Sequence, residues 1–142
     1  MFGNLPLSVC AMVAALALGA GAAGAQTSPP ATRTPWDSVY TVEQAARGDT
    51  TFHASCAACH ATGQFTGPTF LSAWEGGTVY QLFKSISTQM PQDHPGSLSS
   101  EQYASVVAYL FQLNGFPAGV QAFPSDAAEL KQIIIQSKPE RP

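Results

Sequence analysis

Five consecutive residues, Cys56-Ala57-Ala58-Cys59-His60, constrain this chain more than any other stretch. On a helical turn, residues three apart share a face, so two thiols at this spacing can each add across one vinyl group of a porphyrin as thioethers. His60 follows at once, which holds its ring under the macrocycle with a nitrogen in reach of the iron. Two other chemistries use a Cys-x-x-Cys pair. A thioredoxin-like redox disulfide goes with a βαβ pattern, and none is visible here. A structural zinc site needs four ligands, and there is no second pair of cysteines: the third cysteine, Cys10, lies far upstream.

The 142 residues bound one domain with some extra length. Charged side chains are few and the net charge is −3, so no basic patch is available to neutralise phosphates and nucleic acid is excluded as a partner.

Residues 1–32 carry no charged side chain, and Leu7 to Ala25 is mostly Ala, Leu, Val and Gly, closing in Ala23-Gly24-Ala25. This reads as a signal peptide over 1–25, cut before Gln26. No Lys or Arg precedes the apolar run, which is nearly long enough to span a bilayer, so an uncleaved membrane anchor is the alternative. Lipidation of Cys10 is not expected, because it precedes most of the apolar run and follows the bulky Val9. Either way residues 26–142 are placed beyond the cytoplasmic membrane, in the periplasm.

Residues 26–41 read as a linker and lead-in, disordered from Gln26 to Pro35 and then apolar and aromatic from Trp36 to Tyr40. Thr41-Val42-Glu43-Gln44 fits a capping box, which predicts a first helix from 42 to the motif, with Gly48 and Phe52 on one face eight and four residues before Cys56. Ala61 to Ser72 reads as a Gly/Thr/Pro loop. A second box at Thr78 and Gln81 predicts a helix over 78–88 with Val79, Leu82, Phe83 and Ile86 on one stripe. Prolines keep Thr88 to Ser99 an extended loop. A third box, Ser99 with Gln102, and a staple of Leu98 on Tyr103 start a helix whose apolar period runs to Asn114-Gly115. The remainder, 115–142, is an extension with a turn at 116–119 and a short helix near Asp126, from which Leu130, Ile133 and Ile134 pack back.

Over residues 42–113 the chain resembles the class I c-type cytochromes. The resemblance rests on the Cys-x-x-Cys-His motif, on Gly48 and Phe52 ahead of it, and on Val106-Val107-Ala108-Tyr109-Leu110 in the last helix. It implies an all-α fold: three main helices around one covalently bound haem c, a haem domain over 42–114, and a short accessory C-terminal helix. It implies that Gly48 and Phe52 pack the first helix on the last. It also implies that the Pro68 carbonyl accepts a hydrogen bond from His60, although Pro68 reads equally as a turn proline. Ala61 departs from the glycine many relatives carry after the histidine. Trp74 could donate to a haem propionate or simply be a buried aromatic. With Cys56 and Cys59 attaching the haem and His60 the proximal iron ligand, the distal ligand is expected to be Met90. It is the one methionine after the leader, and it stands in the Met-Pro pair that relatives carry at this ligand. His94 is its rival; His53, tied to the His60 side, is a poorer one.

A narrower likeness, carried by Met90-Pro91, Pro95-Gly96-Ser97-Leu98 and Asn114 to Gly119, is to small bacterial haem domains found alone or appended to pyrroloquinoline quinone-dependent dehydrogenases. It implies a periplasmic carrier of single electrons, not an enzyme, with a quinoprotein dehydrogenase as donor and an oxidase or another cytochrome as acceptor. The alternatives are a haem subunit of a larger dehydrogenase complex, or a haem enzyme or sensor with a weakly held sixth ligand. A haem domain of ~75 residues has a small side-chain core, so haem-free chain is expected to be poorly folded.

Overall fold

The computed structural model describes residues 32–139. Among these the chain is helical, and its β pairing is confined to isolated bridges. Helix α1 (Val42–Ser55) starts as expected, with the Thr41 hydroxyl accepting from the Gln44 amide at 3.1 Å. The box is not closed, however, because the buried Gln44 side chain turns away to clasp the main chain of Phe123. Its amide nitrogen donates to the Phe123 carbonyl (2.9 Å) and its oxygen accepts from the Phe123 amide (2.5 Å). A side chain that meets two buried main-chain groups at once is better spent there than on an exposed amide that water can satisfy.

The second and third boxes form as read. Thr78 and Gln81 cap α3 (Val79–Gln89), and Ser99 and Gln102 cap α4 (Ser100–Leu113). The stretch expected to be a loop between motif and α3 is instead a 3-10 turn (Thr62–Phe65) and a helix, α2 (Gly67–Trp74). Pro68 lies in the first turn of α2, where a missing N–H costs nothing, and Phe70 behind it is buried.

Helix α4 is the centre of the molecule: its residues Tyr103 to Phe111 are all buried, not only the apolar stripe. Helix α1 crosses one side of it at Gly48, and Phe52 meets Tyr109 with ring centroids 5.6 Å apart, which is the packing the resemblance implied. On another side Phe111 sits among the rings of Tyr40, Phe70, Phe116 and Phe123. Lead-in and extension therefore share one core with the haem-domain segment.

Two expectations about those flanks are corrected. Residues 32–35 are packed rather than disordered: Pro35 is buried, and Arg33 pairs with Ile133. Residues 26–31, like the leader, lie outside the described residues. At the other end α5 is a single turn (Ala127–Leu130) capped by Asp126, and the chain then extends. It becomes a strap between lead-in and α3, with Ile134 N donating to Arg33 O (2.8 Å), Ile135 N to Gly77 O (2.9 Å) and Val79 N to Ile133 O (2.9 Å). Side chains then alternate with period two, so Ile133 and Ile135 are buried, not the Ile134 that a helical period selects.

Candidate cofactor site

Helix α1 ends where the motif begins. The amides of Cys56 and Ala57 both donate to the Phe52 carbonyl, and the chain then folds into a turn in which the Cys59 and His60 amides donate to the Cys56 carbonyl (3.1 and 3.0 Å). This turn puts Cys56, Cys59 and His60 on one cavity of about 870 Å³. Both thiols are free, and burial pushes that of Cys56 up from its ordinary value.

The other walls come from Phe52 and Phe65 near the motif and, from farther along the chain, Leu82 and Ile86 of α3 and Val106 and Leu110 of α4. Part of the α3 stripe, Leu82 and Ile86, and part of the α4 run, Val106 and Leu110, therefore face the same space. Trp74, Met90 and His94 also line it. Pro68 and His53 do not line it. Pro68 is exposed on α2, while exposed His53 is held by Asp49, its Nδ1 lying 3.0 Å from that carboxylate.

The loop carrying Met90 is corrected in form. It is not extended but closed by two successive turns, His94 N to Pro91 O (3.0 Å) and Ser97 N to His94 O (3.2 Å). His94 is largely exposed at its tip, its Nδ1 3.3 Å from Asp93. Met90 is half-buried at the C-terminal end of α3.

Two side chains near the motif escaped the sequence reading. Gln64 lies one turn beyond His60 and brings its Oε1 to 3.3 Å from His60 Nδ1, the contact assigned from resemblance to the Pro68 carbonyl. A proton on Nδ1 donated there leaves the Nε2 lone pair free to bind a metal. Asn114, read only as a helix stop, donates to the Phe65 carbonyl (2.8 Å) and accepts from the Gly67 amide (2.9 Å), fastening the segment after the motif to the end of α4. Gln64 has a spacing signal, four residues from the histidine; Asn114 has none, since its partners are distant in sequence.

The donor set and the space fit a covalently held haem. Clefts of about 300–1,000 Å³ with mostly apolar walls and a few convergent polar groups bury ligands of that scale, and here the convergent groups include two thiols, the imidazoles of His60 and His94, and a thioether. Among the described residues no three His, Cys, Asp or Glu side chains are grouped to hold a metal ion by themselves.

Residues 43–110 match the family described as cytochrome c oxidase, cbb3-type, subunit III, a c-type cytochrome domain. No curated protein and no solved structure matched the chain. With the matched segment spanning the motif, the cavity and most of α4, the fold is the all-α class I cytochrome c fold. Its three expected main helices are α1, α3 and α4, with α2 an addition. The cofactor of such a domain is covalently bound haem c, and the domain is of the electron-carrying kind.

Proposed function

We propose that this chain carries single electrons in the periplasm, with Cys56 and Cys59 attaching the haem, His60 the proximal ligand and Met90 the distal one. The observation that carries the reading is that one cavity receives Cys56, Cys59 and His60 from the end of α1 and Met90 from the end of α3, stretches thirty residues apart. The bound haem supplies an Fe(II)/Fe(III) couple, and the chain's own groups set its surroundings. Gln64 orients His60, the apolar walls exclude water, and Trp74 offers an indole N–H to a propionate. Export rests on the 1–25 leader; among the described residues no helix is long and apolar enough to cross a membrane.

The donor in this reading is a quinoprotein dehydrogenase and the acceptor an oxidase or another cytochrome, with weak steering at most from a net charge of −3. A second reading, a haem subunit of a larger redox complex, is favoured by the matched family's description as an oxidase subunit. Copurification with a membrane oxidase or a dehydrogenase distinguishes it from a free carrier.

The ligand assignment is tested by the weak charge-transfer absorbance at about 700 nm that marks thioether ligation of Fe(III) haem. It is expected in the parent protein, retained in His94→Ala and lost in Met90→Ala. Absence from the parent, with a haem spectrum that changes in His94→Ala but not in Met90→Ala, reverses the assignment, and absence with a spectrum that neither variant changes favours an open-site haem enzyme or sensor.

A further inference from the structure

The loop that carries Met90 has little of its own to hold it. Residues 92–97 are exposed, and the two main-chain turns at Pro91 and His94 close the loop on itself without fastening it to the rest of the molecule. What fastens it is one buried hydroxyl. Tyr103, on the first turns of α4, is 3 % exposed and packs edge-on against Phe83 with ring centroids 6.4 Å apart. Its Oη donates to the Met90 carbonyl at 2.7 Å and accepts from the Leu98 amide at 3.4 Å. The same atom thus ties the first residue of the loop and the last to the central helix.

We infer that Tyr103 is a positioning residue for the distal side of the haem cavity: by pinning both ends of the 90–98 loop through one hydroxyl, it fixes where the Met90 side chain stands and keeps His94 at the exposed tip. This rests on the reading of Met90 as distal ligand. The physical argument is one of differential stability. A methionine thioether is a weak ligand compared with an added anion, and it holds its place because the loop is already ordered around it. Without the hydroxyl, the Met90 carbonyl and the Leu98 amide both lose their protein partner, and the loop gains freedom at both ends. The ring itself remains, so the contact with Phe83 and the burial of α4 are preserved.

The test uses oxidised, haem-loaded protein titrated with cyanide, a distal ligand that competes with the thioether. Tyr103→Phe is expected to bind cyanide about tenfold more tightly than the parent, to lose part of its absorbance at about 700 nm, and to exchange its Leu98 amide faster. Tyr40→Phe is the matched control. It removes an equally buried hydroxyl that donates to the Phe116 carbonyl at 2.6 Å, away from the cavity, and should change none of the three. In a Met90→Ala background, already tight for cyanide, Tyr103→Phe should add less than about twofold. Equal cyanide affinities in Tyr103→Phe and the parent, or equal gains in Tyr103→Phe and Tyr40→Phe, overturn the inference while leaving Met90 as ligand. A Met90→Ala protein with the parent's cyanide affinity overturns the ligand reading and this inference with it.

Discussion

Gly48 of α1 lies so close to the main-chain carbonyl of Ser105 in α4 that a Cβ atom there would overlap it. The contact sets how near the two helices come, and with it the position of Phe52 and the motif that follows. Gly48→Ala would gain roughly 1 kcal/mol of helix propensity, but it must push backbone away from backbone, an overpacking that costs about 1–3 kcal/mol or more. The expected outcome is a net loss of stability in urea unfolding of the haem-loaded protein. Unchanged or raised stability would show that the crossing is loose.

The C-terminal strap makes a second prediction. With Ile135 fully buried and Ile134 only half-buried, Ile135→Ala should cost about 2–5 kcal/mol and Ile134→Ala distinctly less. Denaturant midpoints of the two variants decide it, and the reverse order would mean that the segment is helical.

Where the strap ends, Ser137 holds the Glu75 pKa below the ordinary glutamate value, first through its side-chain hydroxyl and then through its amide, which donates to the Glu75 carboxylate at 3.0 Å. A depressed carboxyl pKa means the ionised form is favoured in the folded state. The tie is therefore fully present above the ordinary glutamate pKa and is lost as pH falls through the lowered one. The Ser137 amide resonance should follow that titration with a midpoint below the usual glutamate range. Glu75→Gln should abolish the pH dependence with little change in global stability, since the site is exposed.

What the sequence made legible was local. The caps at Thr41, Thr78 and Ser99 and the period of Tyr103 to Phe111 lie within a few residues of the groups they serve, so α1, α3 and α4 appeared in their places. The motif did the same for Cys56, Cys59 and His60. What it hid was long-range or ambiguous. Gln44 looked like the far half of a capping box, because nothing nearby reveals its partner at Phe123. Gly67-Pro68 reads as a turn and is also a good start to α2. Three consecutive isoleucines, Ile133 to Ile135, carry no period at all, so only their pairing with Arg33 and Gly77 shows which face is buried.

Removing the haem should expose the cavity walls. Leu82 and Ile86 of α3 and Val106 and Leu110 of α4 face that space, so α3 loses much of the apolar surface it packs against. Chain with Cys56→Ala and Cys59→Ala, which cannot form thioethers, should show reduced helicity by circular dichroism and a lower unfolding midpoint. Full native helicity without haem would mean that α3 is held by protein contacts alone.

The most direct test of the whole account is a redox titration of the purified protein followed by its visible absorbance. A carrier with haem attached through Cys56 and Cys59 and ligated by His60 and Met90 should reduce and reoxidise reversibly in one step, with a slope of about 59 mV per decade for one electron. The absorbance at about 700 nm should vanish on reduction and return on oxidation. Irreversible cycling, a slope near 30 mV, or peroxide turnover by the same sample would contradict simple single-electron transfer.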